Sequence, residues 1–357
     1  MRRFSCQSCG QLLSFENTVC GQCNSILGFL PELVDMSALV AVGDGSWRPL
    51  APLAHGRPRM FCANNAYDVC NWLVSDSTPQ GCFCFACQFN RMIPNLDTPG
   101  NLERWRKLEV AKHRLCYTIL RLKLPVRTRL QDPLHGLAFD FLDDPADGSS
   151  TVITGHSDGI ITIATREADD AYRESMRVEL GEYYRTLLGH FRHEIGHYYW
   201  NVLIRDGGRL DACRAVFGDE RQDYQSALAT HYNRALVDNW RDDFVSLYAT
   251  SHPWEDFAET WAHYFHIVST LETALSYELS AGPAVHGEAL SALHGDPCTQ
   301  MSFENIINAW VPLTYVVNGL NRSMGLSDFY PFVLTRGVRA KLGFIHDVIR
   351  DAQKKGF

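Results

Sequence analysis

The segment "CQSCGQLLSFENTVCGQC" near the start of the chain restricts the fold more than any other. It places Cys6 and Cys9 in one CxxC and Cys20 and Cys23 in a second. A CxxC folds as a tight turn that aims two thiolates at one ion. Two such turns complete a closed tetrahedral site. Residues 1–30 hold too few apolar side chains for a core. A bound structural zinc would then supply the folding free energy, an apparent contribution on the order of 10–16 kcal/mol. Nine of the twelve cysteines precede residue 90. The opening "MRRFSCQSCG" is positively charged but lacks the apolar run of a secretion signal. Close cysteine pairs in such a chain point to metal rather than disulfides, and to a reducing cytoplasm.

A second, less regular set follows in Cys62, Cys70, Cys82, Cys84 and Cys87. Five thiols compete for four positions. Cys84 and Cys87 have the proper turn spacing, so Cys82 is the one to leave out. Cys62 and Cys70 are too far apart for one knuckle but can arrive from strands or a loop. A second structural zinc on Cys62, Cys70, Cys84 and Cys87 is expected. Cys116, Cys213 and Cys298 stand alone and read as small buried residues.

The 357 residues suffice for two or three domains, and 46% hydrophobic content marks a globular protein. No apolar run is long enough to cross a membrane. The formal charge of −8 argues against general nucleic-acid binding. One stretch is basic. Residues 101–129 hold nine lysines and arginines against Glu103 and Glu109. A solvated helix face explains this stretch, and a docking patch for an acidic protein partner is the other reading. The expected organisation is a four-cysteine module at 1–30, a second zinc module at 31–98, a helical connector at 99–130, and a domain at 131–357. Asn101 suits a helix start, and Pro125 lies beyond its end. "LAFDFL" and "GIITIAT" read as strands, and the rest is mostly helical. Gly181 divides one helix from "EYYRTLLGHFRHEIGHYYWNVLI". The fold class is therefore α+β, with metal modules followed by a mostly helical domain containing a small sheet.

"FRHEIGHYYW" carries His193, Glu194 and His197. Four residues apart on a helix, the two imidazoles share a face and can grip one ion. Glu194 can then reach a metal-bound water without being a ligand, which is the mechanical content of HExxH. His190 lies near the same face, so His190–His193 is a competing pair. A catalytic zinc also needs a third protein ligand and an open position. The best source is "SHPWEDFAETWAHYFHI", where Glu255, Glu259 and His263 form a polar stripe on an apolar helix starting near Pro253. Alternatively, Glu255 and Asp256 merely favour the positive helix end while Glu259 is exposed. Asp219 and Asp223 could orient a zinc-bound histidine, although helix capping is the commoner use. His231, His252 and His266 have no ligand-like spacing.

HExxH followed by a glutamate on a second helix resembles the gluzincin arrangement of zinc metallopeptidases. "EDFAE" is similar to a segment of anthrax lethal factor. That resemblance implies Glu255 as third zinc ligand, Glu259 as its support, and Tyr248 as a hydrogen-bond donor to the developing oxyanion or leaving group. The chain also resembles a bacterial family with zinc ribbons ahead of a zinc metallopeptidase domain. The landmarks are the CxxC pairs, "CNWLV", "CQFNRMIPNL", "HEIGHYYW", "FGDERQDYQSALATHY" and "HPWEDFAETWAHYFH". The family pattern implies Cys62, Cys70, Cys84 and Cys87 for the second ribbon. Three zinc ions are then expected, one catalytic and two structural. The implied activity is hydrolysis of a peptide or isopeptide bond in a peptide or protein substrate, with Glu194 as general base. "GIITIAT" would offer a sheet edge for an extended substrate. The ribbons would rigidify the chain or recruit a partner. The contrasting reading is a non-catalytic ribbon module that binds or regulates, with a purely structural helical domain. An intact Glu194 argues against it. A self-processing or toxin-like protease is a third reading, without a cleavage or secretion signal to support it.

Overall fold

The computed structural model describes residues 1–75, 81–145, 147–233, 239–279 and 295–355. It divides into two compact units, residues 1–121 with 126–176, and residues 122–125 with 177–357.

In the first unit, β1 (Phe4–Ser5) and β2 (Leu12–Leu13) form a short antiparallel hairpin. Next come β3 (Ile26–Leu30), β4 (Asp35–Gly43), β5 (Ser46–Pro49), β6 (Arg59–Phe61) and β7 (Leu73–Ser75). These pair antiparallel in chain order as a five-stranded sheet. Leu30, Leu39, Ala51, Ala54 and Leu73 pack as one buried cluster. Gly28 in β3 is required there, because a Cβ at that position would lie 2.8 Å from the Leu73 side chain. Phe15 and Phe29 meet edge-on at 4.9 Å, and Trp72 lies 4.5 Å from Phe29. Trp72, from outside residues 1–30, thus adds apolar mass to the two phenylalanines of that segment.

A second sheet joins β8 (Asn90–Met92), β9 (Ala138–Leu142), β10 (Gly155–Ser157) and β11 (Ile160–Ala164) in the order β10-β11-β9-β8. β11 runs parallel to β9 from Ile160 opposite Ala138 to Ala164 opposite Leu142, and antiparallel to β10. The "GIITIAT" strand is thus an inner strand with both edges paired. The expected substrate-accepting edge does not exist there.

Between β8 and β9 runs α1 (Asn101–Arg121), the helix anticipated from its periodicity. Its basic residues are only partly solvated. Lys112 is fully buried and paired at 2.8 Å with Glu109, itself fully buried. Arg104 meets Asp169 at 3.0 Å, Lys107 meets Asp170 at 3.2 Å, and Arg114 meets Glu16 at 2.7 Å. Much of the local positive charge is therefore matched within the unit. α2 (Asp170–Glu179) has no buried residue.

The second unit is helical. α3 (Leu187–Tyr199) continues directly into a π-helical turn at Trp200–Arg205. α4 (Leu210–Phe217), α5 (Tyr224–Asn233), α6 (Pro253–Ser276), α7 (Phe303–Ser323) and α8 (Arg336–Lys355) follow. The stretch from Glu182 reads as helix, yet α3 begins only at Leu187. Thr186 is extended, and its hydroxyl accepts from the Gly189 N–H at 3.0 Å, which fixes the start. α6 is buried along most of its length and packs on α3, α7 and α8. Its Phe257, Trp261, Phe265, Val268 and Leu271 are at most 1% exposed.

Two buried histidines give this unit an acid limit. Burial lowers His263 from 6.5 to about 4, and burial likewise lowers His346 to about 4. Tyr330 and Tyr264 hydrogen-bond their Nδ1 atoms at 2.7 and 2.9 Å. The folded state binds fewer protons than the unfolded chain, so this stability is complete above pH 6.5 and lost as pH falls towards 4. For His263 the loss is on the order of 2–3 kcal/mol. Melting temperature followed from pH 7 to 4 should fall less steeply in His263→Gln than in wild type. Parallel curves would remove His263 as a cause.

Candidate functional site

The first four-cysteine group is assembled by two matching turns. The Gly10 N–H donates to Cys6 O at 2.8 Å and the Asn24 N–H to Cys20 O at 2.9 Å. Gly10 and Asn24 both take the left-handed conformation such a knuckle needs, at φ 79° and 58°. The sulfurs of Cys6 and Cys23 lie 3.6 Å apart, as do those of Cys9 and Cys20. Thiolates about 2.3 Å from one tetrahedral zinc are separated by roughly 3.8 Å, so this donor set fits the ion.

The second group brings Cys62, Cys70, Cys84 and Cys87 together, all buried, with Cys70 and Cys84 sulfurs 3.7 Å apart. Backbone N–H groups of Trp72 and Cys84 donate to the sulfurs of Cys70 and Cys62 at 3.4 and 3.3 Å. Cys82 lies outside the group. All twelve cysteines are free of disulfides. The sequence reading missed His113 of α1. Its Nε2 is 3.3 Å from the Cys70 sulfur and 3.8 Å from that of Cys87, while Nδ1–H donates to Glu109 O at 2.6 Å. No motif spacing links residue 113 to these cysteines, so only the packing of α1 reveals it.

The third group is built by α3 and α6. Their close approach depends on Gly196, where a Cβ would sit 3.0 Å from Ala258 Cα. His193 and His197 project from α3, and Glu255 from the first turn of α6. His193 Nε2 lies 3.2 Å from His197 Nε2 and 3.0 Å from Glu255 Oε2, and His197 Nε2 is 3.4 Å from the same oxygen. Nitrogen and oxygen ligands about 2.0–2.2 Å from a tetrahedral zinc stand roughly 3.3 Å apart, so these three atoms fit one ion. His190 does not join them.

The surroundings orient these donor groups. His193 Nδ1–H donates to Glu259 Oε1 at 2.7 Å, leaving Nε2 to face the other donors, and Ser246 Oγ donates to Glu259 Oε2 at 2.5 Å. Burial works to raise Glu259, but its bond to His193 and that residue's charge hold it at about 2. The Trp254 ring covers His197 at 3.7 Å between centroids. Glu255 is 2% exposed, and its other oxygen, Oε1, accepts from Tyr224 Oη at 2.8 Å. The polar stripe thus divides its tasks, since His263 turns away to Tyr330. Glu194 is 7% exposed, and its Oε2 is buried with no hydrogen-bond partner among the described residues. Burial raises its pKa above the usual carboxylate value, against the lowering effect of His193 and His197. Tyr248 is half-buried, its ring 5.8 Å from that of His193.

Other acids and histidines serve structure. Asp219 pairs with Arg221 at 2.6 Å, and Asp223 accepts from the Ser226 N–H at 2.8 Å at the start of α5. His252 caps α6 by accepting from the Trp254 N–H at 3.1 Å. His231 Nδ1 lies 3.1 Å from Thr250 Oγ1, and His266 Nδ1 accepts from Arg192 at 2.5 Å.

Among the described residues, no helix is long and apolar enough to cross a membrane. No solved structure matches the chain. A family model described as "zinc-ribbon domain" matches residues 3–98. One uncharacterized protein of Mycobacterium bovis and one of Mycobacterium tuberculosis are each 43% identical over 351 residues, covering 98% of this chain and 95% of theirs. A model described as "Putative zinc-binding metallo-peptidase" matches residues 101–348. That match spans more than half of the chain and includes all three donors joined by α3 and α6, so the chain belongs to this zinc-binding metallo-peptidase family.

Proposed function

We propose that the chain is a zinc-dependent peptidase of gluzincin type, hydrolysing a peptide or isopeptide bond. The observation that carries this reading is the buried, unpartnered Oε2 of Glu194 beside three converging ligand atoms. A purely structural metal site has no need of a carboxylate held ready for a proton. His193, His197 and Glu255 would hold the zinc ion, which would supply a water of near-neutral pKa and polarise a carbonyl. Glu194 accepts the proton from the attacking water and passes it to the leaving amine. Its raised pKa suits both transfers. Tyr248 would donate a hydrogen bond to the developing oxyanion or leaving group. Glu259 keeps His193 in the ligating tautomer.

The two four-cysteine groups hold structural zinc and act as scaffold or as recruiting surface for a protein substrate. Twelve cysteines, none in a disulfide, fit a reducing compartment such as the cytoplasm. Zinc content by elemental mass spectrometry tests the metal assignment. Wild type should carry three zinc ions per chain and His197→Ala two, with an unchanged circular dichroism spectrum. Two ions in both proteins would overturn the catalytic site. Peptide-library cleavage by the three-zinc form then identifies substrates.

A further inference from the structure

We propose that Tyr224 is a positioning residue that keeps Glu255 bound to metal through one oxygen, thereby preserving the open coordination position. The inference rests on the hydrolytic reading but reaches a residue and a task outside it. The two oxygens of Glu255 have different partners. Oε2 faces both histidine Nε2 atoms, at 3.0 and 3.4 Å, whereas Oε1 accepts from Tyr224 Oη at 2.8 Å. A carboxylate can bind a cation through one oxygen or swing both onto it. With three single-atom ligands, a tetrahedral site retains a fourth position for water, and a second carboxylate oxygen would compete for it. The phenol occupies Oε1 and removes that competition.

The position of Tyr224 is itself determined. It opens α5, whose first N–H groups are capped by Asp223. Its ring stands edge-on to His252 at 5.3 Å and to Trp254 at 6.0 Å. His252 ties both sides together, because Nε2–H donates to Gln222 O at 3.1 Å while Nδ1 caps α6. The loop entering α5 and the helix carrying Glu255 are thereby held in one register.

The test uses the full chain with zinc in both four-cysteine groups. The third site is emptied with a mild chelator and refilled with Co2+. Absence of thiolate-to-cobalt charge-transfer bands verifies that cobalt has not entered the cysteine groups. Tyr224→Phe keeps the ring packed and removes only the hydroxyl. The expected result is a visible d–d absorption per cobalt at least two-fold weaker in Tyr224→Phe than in wild type, as coordination rises beyond four. Identical spectra would overturn the proposal. Failure of wild type to take up cobalt at the third site would overturn both this inference and the hydrolytic reading. A weaker spectrum in a protein that cleaves no peptide would support the positioning role while sinking hydrolysis.

Discussion

Glu194→Gln should bind wild-type amounts of zinc and lose peptide hydrolysis by about 10²–10⁴-fold, the range expected when a positioned general base is removed. Glutamine has the same shape, so the packing of α3 and the placement of His193 and His197 are retained. What disappears is a proton acceptor. The pH profile gives a sharper readout than the rate alone. A general base at Glu194 would work only when deprotonated, and burial raises its pKa. Wild-type activity should therefore decline on the acid side at a pH above the ordinary carboxylate range, and this limb should be missing from any residual activity of Glu194→Gln. Activity within a few-fold of wild type would eliminate Glu194 as the base.

Cys87→Ser should cost one zinc ion per chain and disrupt the first unit, whereas Cys82→Ser should do neither. All four thiols of the second group are buried, and loss of one would break a closed site whose metal would contribute on the order of 10 kcal/mol to folding. That exceeds the margin by which many domains are stable. Trp72, whose ring is 5.2 Å from that of His113, and Trp105, whose Nε1–H donates to Glu109 at 3.0 Å, flank this region. Their near-ultraviolet circular dichroism should collapse in Cys87→Ser, and residues 1–98 should become susceptible to proteolysis. A variant that keeps its zinc and its spectrum would show that Cys87 is not a ligand.

Chemistry encoded by short spacing was legible before any fold was known. The two CxxC turns and the four-residue interval between His193 and His197 are local, and local geometry converts directly into convergent donor atoms. Glu255 needed a resemblance to single it out from Glu259, because both lie on one polar stripe. Long-range pairing was not legible. The composition of β11 suits either an edge or an inner strand, and only the partners β9 and β10 decide. Tyr224 lies 31 residues before Glu255, and nothing in its own neighbourhood marks it as that residue's partner. The basic run on α1 looked solvated because its matching acids, Glu16, Asp169 and Asp170, are remote in sequence.

The position of α1 bears on how such a chain can be shortened or recombined. The two family matches meet near residues 98–101, which invites a division there. Yet β8 lies before that junction and pairs with β9 beyond it, and His113 faces Cys70 and Cys87 across the same point. A fragment starting at residue 101 would bare Trp105, Lys112 and Glu109 and leave β9 with an unpaired flank. The ribbon and the start of the peptidase match therefore pack as one block. A gene fusion that exchanged only the first 98 residues would have to supply a new strand and a new cover for α1.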